Sequence, residues 1–283
     1  MMETYYGRSF DQERALYGLH GASVGHCRFE GPADGESALK ECSGIDVTDC
    51  NFALRYPLWH VTDGRIISCR MTDKCRAPMW YDKGLLLRDC TVNGTKALRE
   101  CRDIAVEGGS ADSAEFGWKN TGVRIRSFTL SNSEYPFFMC ADMDIDRLTM
   151  KGKYSFQYVR NAVIRNSVLD TKDAFWHTEN VTVYDSEIRG EYLGWYAKDL
   201  RLVRCRISGT QPLCYCSGLI LEDCTMEGCD LSFENSNVRA TVRGHIDSVK
   251  NPTGGYIHAG SIGEIILDSH LHPDADCDIR TEA

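Results

Sequence analysis

Glu41, Glu100, His60, Arg76 and Tyr81 bring carboxylate, imidazole, guanidinium and phenol to related points of a recurring pattern, beside the loop Pro32-Ala-Asp34-Gly-Glu36. Acid, imidazole and guanidinium together can bind an acidic sugar and move protons on it. Carboxylates one turn apart in a strand stack fall near the spacing of retaining glycoside hydrolases; two turns apart, about 10 Å, they fall near that of inverting ones. The expected catalytic set is therefore Glu41, His60, Arg76, Tyr81 and Glu100. A plainer reading exists for the charged column Glu13, Glu36, Arg55, Arg76, Glu134, Lys153, Lys172 and Glu191. Opposite charges in such a ladder make surface ion pairs that contribute little.

The aromatic residues fall into two neighbouring columns. One holds Trp59, Trp80, Trp118, Phe138, Trp176 and Trp195, and the next holds His60, Tyr81, Tyr158, His177, Tyr196 and Tyr215. Lys40, Arg99 and Gln157 share the first column. Burying an unpaired cation is costly, so this column is expected on the outer surface. There, Trp59, Trp80, Trp118, Trp176 and Trp195, with His177, Tyr196 and Asp34, would bind an extended carbohydrate or the apolar surface of a protein partner. A shifted strand register would instead turn the rings inward.

These columns exist because one phrase recurs. Asn180-Val-Thr-Val-Tyr-Asp-Ser186-Glu-Ile188 becomes Asp199-Leu-Arg-Leu-Val-Arg-Cys205-Arg-Ile207 and then Gly218-Leu-Ile-Leu-Glu-Asp-Cys224-Thr-Met226, nineteen residues apart each time. A fixed period of this size marks a solenoid. With Cys205 taken as zero, the zero column reads Cys27, Cys50, Cys69, Cys90, Gly109, Phe128, Leu148, Ser167, Ser186, Cys205 and Cys224. Apolar residues stand three before it (Val24 to Leu221) and two after it (Phe29 to Met226). This alternation describes a short strand with one buried face, broken by a bend just before zero. Six before zero stand Gly, Asn or Asp, from Gly21 to Asn237, which accept left-handed backbone and mark a corner. Eleven before zero stand Leu and Phe residues such as Leu39, Leu58 and Phe175, expected in the core.

The expected fold is all-β: a single-stranded, right-handed parallel β-helix of about 12 coils, forming one domain over 1–283. Residues 1–20 would be an N-terminal partial coil, 21–245 the regular coils, and 246–283 an irregular closing coil and tail that is loose from Pro273 onward. Arg243 and His245 fall in core columns, so the pattern weakens after Val238.

A net charge of -9 and a pI near 5.4 argue against nucleic-acid and anionic-membrane partners. No apolar run reaches the roughly 20 residues of a membrane span, and the N-terminus lacks a signal-peptide pattern. Most of the fourteen cysteines fall in two columns that also accept Ser, Val or Ala. They are expected to be packed, reduced thiols in a cytoplasmic protein. No metal is expected: His60 and His177 lie six coils, roughly 30 Å, apart, and Cys214, Cys216, Cys224 and Cys229 divide between buried columns. No cofactor-binding loop is present.

Gly31-Pro-Ala-Asp-Gly-Glu-Ser-Ala-Leu-Lys-Glu41, Leu54-Arg-Tyr-Pro-Leu-Trp-His60 and Gly209-Thr-Gln-Pro-Leu-Cys-Tyr215 resemble an uncharacterised bacterial family, domain of unknown function 3737. The resemblance covers nearly the whole chain. It implies a pectin-lyase-like β-helix and no particular activity.

Overall fold

A computed structural model describes residues 3–282. Met1 and Met2, within the expected N-terminal coil, and Ala283 lie outside the described residues. The chain forms two compact units, Met1–Thr149 and Met150–Ala283. Each is a parallel β-solenoid, and the only helix among the described residues is a single 3-10 turn at Asp73–Cys75.

In the first unit the column three before zero is one continuous parallel ladder. It runs Tyr5, Val24, Val47, Ile66, Leu87, Val106 and Ile125. In the second unit the same column runs Ile164, Val183, Leu202, Leu221, Ala240, Ile257 and Ile279. The solenoid therefore has about 15 turns rather than 12. The additional turns lie at the two ends, where the sequence pattern is weakest. At the beginning, Glu3–Tyr6 pairs with Ala22–Gly25. At the other end Asn237–Lys250, Gly254–Ile266 and Asp276–Thr281 pair in succession, so the segment expected to be loose after Pro273 contains a strand.

The closing turns are hidden in the sequence because they shorten. Cys224 pairs with Val242, Val242 with Ala259, and His245 with Ser261, with register shifts between them. Val242, Ile246 and Val249 fill the core there, while Arg243 and His245 are exposed. The nineteen-residue frame had placed those two side chains inside.

The lumen is predominantly apolar. Val24, Ile66, Leu202, Phe29, Phe52, Ile207, Leu39, Phe156 and Phe175 are all fully buried. Within units the phenyl rings stack on the next turn: Phe29 on Phe52 at 4.6 Å and Phe156 on Phe175 at 4.9 Å. All fourteen cysteines are free, and all but Cys277 are buried. In the zero column the thiols bond back to the previous turn, as in Cys205 to the Val183 carbonyl (3.4 Å) and Cys224 to that of Leu202 (3.3 Å). In the same column the hydroxyl of Ser186 bonds the Tyr184 carbonyl and accepts from the Ser167 amide. A small side chain with one donor fits the position, which is why Cys and Ser interchange there, although Phe128 and Leu148 fill it without a donor. Burial pushes the thiols of Cys75, Cys140, Cys216 and Cys229 up to about 12, so they are neutral and unreactive at physiological pH.

The Gly/Asn/Asp corner adopts positive φ as expected, from Gly21 through Asn161, Asn180 and Asp199 to Gly218. The bend before zero is also left-handed, at His26, Asp49, Asn166, Asp185 and Asp223 among others. At Gly109 a side chain is impossible: an added Cβ would stand 2.1 Å from the Cys90 carbonyl oxygen.

Candidate binding groove

Nine residues before zero, each turn makes a further left-handed corner. Glu41, His60, Tyr81, Glu100 and Lys119 have φ between 54° and 59° there. Their amides hold the rise between turns: His60 N–H donates to the Trp80 carbonyl (3.0 Å), and Tyr81 N–H to that of Arg99 (3.0 Å). The residue after each corner, Cys42, Val61, Asp82, Cys101 or Asn120, is buried. The next position, seven before zero, returns outward and carries Thr62, Lys83, Arg102 and Thr121, bridged in parallel from turn to turn. Two outward ladders thus flank an inward one. The trough between them is a groove of about 570 Å³ lined by Glu41, His60, Thr62, Tyr81, Lys83, Glu100, Arg102 and Lys119.

Four of the five expected catalytic residues meet here. His60 Nδ1 lies 3.0 Å from a carboxylate oxygen of Glu41, and its ring packs edge-on against Tyr81 at 5.2 Å. Glu100 occupies the next turn. Glu41 and Glu100 are three turns apart, about 14 Å at strand spacing, which lies outside both glycosidase geometries. Arg76 stands elsewhere, at a left-handed residue closing the 3-10 turn. The guanidinium on the groove belongs to Arg102. Asp34 is likewise apart: it pairs with Arg55 at 3.3 Å, and Arg55 also reaches Glu36 at 3.4 Å. That corner is the surface ion-pair ladder.

Beneath the groove lies Asp82, 1% exposed. One carboxyl oxygen accepts the Val61 amide at 2.8 Å, while the other is buried without a partner. Burial raises this carboxyl well above the usual carboxylate range. In the same inward column Asn120 is fully engaged, accepting from the Cys101 amide (2.7 Å) and donating to the Leu98 carbonyl (2.9 Å).

The tryptophan column faces outward but is half-covered rather than open. Trp118 donates its indole N–H to the Tyr135 carbonyl (2.7 Å), Trp176 to Tyr192 (2.6 Å) and Trp195 to Gln211 (2.8 Å). The ring faces are occupied as well. Lys40 lies 4.8 Å over Trp59, which stacks on Trp80 at 5.6 Å. Arg99 is inserted between Trp80 (5.6 Å) and Trp118 (4.6 Å) and pairs with Glu115 at 3.3 Å. The two cations are thus accommodated by aromatic faces and a carboxylate. Trp176 stacks on Trp195 at 5.4 Å. In the second unit the exposed corner column is a continuous ring stack: Tyr158 on His177 (5.0 Å), His177 on Tyr196 (5.0 Å), and Tyr196 on Tyr215 (4.9 Å), all within 13° of parallel.

Residues 3–280 match the family described as "Protein of unknown function (DUF3737)". The chain belongs to that family. None of the curated proteins matches it. Among solved structures it is similar to PfbA, a surface adhesin of Streptococcus pneumoniae, at 8% identity and TM-score 0.37, covering 94% of this chain and 80% of that one. It is also similar to trypsin-treated QnrB1, a plasmid-mediated fluoroquinolone resistance protein, at 12% identity and TM-score 0.18, covering 84% and 92%. Among the described residues, no helix is long and apolar enough to cross a membrane.

Proposed function

We propose that this solenoid binds a carbohydrate in the groove of the first unit and does not hydrolyse it. The observation that carries the reading is the convergence of Glu41, His60, Tyr81 and Glu100 with the hydroxyls of Thr62 and Thr121 along one trough. Carboxylates, imidazole and hydroxyls in a row offer the alternating acceptors and donors that a sugar's hydroxyl groups need. The wide carboxylate separation favours holding over cleaving. The Trp stripe takes a supporting place in this reading, because its ring faces are already used within the fold. The pectin-lyase-like kinship of the family's β-helix is fold analogy and adds little. Fourteen free thiols fit a cytoplasmic address, so the ligand is an intracellular oligosaccharide.

A second reading, a scaffold for a protein partner, draws on the exposed Tyr158–His177–Tyr196–Tyr215 stack. A glycan array probed with the wild type and with Tyr81→Ala separates the two. Signal on a defined glycan class that disappears in Tyr81→Ala supports the groove. Silence on both acidic and neutral glycans, with a protein recovered by pull-down and released by Tyr196→Ala, supports the scaffold.

A further inference from the structure

The groove holds three cations that the sequence pattern did not single out: Lys83, Arg102 and Lys119. Among the described residues none of them makes an ion pair. Elsewhere in the same unit several cations on the outer ladders are matched with an acid from a neighbouring turn, as in Arg88 with Glu107 (2.7 Å), Arg65 with Asp46 (3.7 Å) and Arg55 with Glu36 (3.4 Å), while Arg70 and Arg124 stand singly without such a match among the described residues. In the groove the matching fails. Lys83 and Arg102 are direct parallel neighbours, so two like charges stand one strand spacing apart. Such a pair is destabilising in a sheet unless an anion lies between them. Of the groove's carboxylates on these turns, Asp82 is buried with one oxygen taken by the Val61 amide, and Glu100 makes no ion pair with any of the three cations among the described residues.

From this juxtaposition we infer that Lys83, Arg102 and Lys119 form the anion-holding end of the groove, and that the ligand is a sugar bearing a carboxylate or phosphate group. The forked guanidinium of Arg102 suits either oxyanion, with Lys83 and Lys119 as flanking point charges. Glu41, His60 and Tyr81 would then receive the neutral, hydroxyl-bearing part. The inference rests on the carbohydrate reading of the same groove and specifies its ligand's charge. The chain's net charge of -9 repels anions overall, so any preference for an acidic ligand must arise locally.

Calorimetric titration tests it with two matched pairs of probes: a glucuronate trisaccharide against its methyl ester, and glucose 6-phosphate against glucose. The expected result is at least about tenfold tighter binding of one acidic member than of its neutral partner, with the preference weakening as salt rises. Arg102→Gln and Lys83→Gln each remove about tenfold from the acidic ligand's affinity and lower the neutral one's much less, so that the acidic preference shrinks. The acidic pair that responds tells carboxylate from phosphate. A structural role for the two cations predicts a lower melting temperature in the ligand-free variants. Relief of like-charge repulsion predicts an equal or higher one. Equal binding of acidic and neutral members overturns the inference and leaves the carbohydrate reading standing. No binding by any of the four probes, together with a silent glycan array, overturns both.

Discussion

In the unit Met1–Thr149 the outward corner column carries Glu41, His60, Tyr81, Glu100 and Lys119; in Met150–Ala283 it carries Tyr158, His177, Tyr196 and Tyr215. The backbone is the same in both, left-handed at every one of these residues and bonded to the next turn in the same way. The difference lies in whether successive side chains satisfy one another. Parallel rings at about 5 Å close each other's faces and leave only edges exposed. Beyond the His60–Glu41 and His60–Tyr81 contacts, the mixed acids, bases and phenol leave a trough with unspent donors, acceptors and charge. One repeat position can thus be a stacked spine in one unit and the wall of an open groove in the other, and backbone register does not decide which.

The comparison requires that both units rest on equivalent cores. Leu87→Ala and Leu202→Ala, in the same lumen column and nearly or fully buried, should each cost about 2–5 kcal/mol in urea unfolding. A loss in one unit several times that in the other would break the equivalence.

Asp82→Asn sharpens the comparison on the groove side. The raised carboxyl holds its proton more tightly in the folded chain than in the unfolded one, whose value is near 3.9. Its contribution is therefore complete below that pH and is lost as pH climbs through the raised folded value. An amide keeps the acceptor for Val61 and stays neutral, as Asn120 does in the same column. The variant should be more stable than the wild type at pH 7 by about 1–3 kcal/mol and should show a flatter stability profile from pH 4 to 8. An unchanged profile would mean that Asp82 is not held neutral.

The histidines of the corner column give the smallest contrast. His177→Ala removes a ring stacked on both faces and should cost about 1 kcal/mol. His60→Ala removes a half-exposed ring with only edge contacts, to Trp59 (6.4 Å) and Tyr81 (5.2 Å), and a half-exposed carboxylate partner, and should stay within about 0.5 kcal/mol. Equal losses would erase the distinction between spine and groove.

Much of this was legible in the residues. The lumen columns, the Gly/Asn/Asp corner and the convergence of Glu41, His60, Tyr81 and Glu100 all followed from the period. The two further corners of each turn did not. They place Leu98, Phe137, Phe156, Phe175, His177 and Tyr196 at positive φ, and such side chains do not advertise a left-handed backbone as Gly, Asn and Asp do. Arg76 was assigned to the site because it belongs to an adjacent coil beside the Asp34 loop, but it stands where the 3-10 turn Asp73–Cys75 closes, away from the groove. Arg102 was overlooked because its column, seven before zero, mixes Thr, Lys and Arg and has no periodic signature. The last turns were lost because their length changes, and a fixed period cannot follow a shrinking coil.

The central claim, that the corner column binds ligand in the first unit and is sealed in the second, is tested most directly by amide chemical-shift mapping. A glucuronate trisaccharide is titrated into the isotopically labelled chain. The account predicts shifts confined to the amides around Glu41–Ser43, His60–Thr62, Tyr81–Lys83, Glu100–Arg102 and Lys119–Thr121. Shifts along Tyr158, His177, Tyr196 and Tyr215 with none in the groove would contradict it.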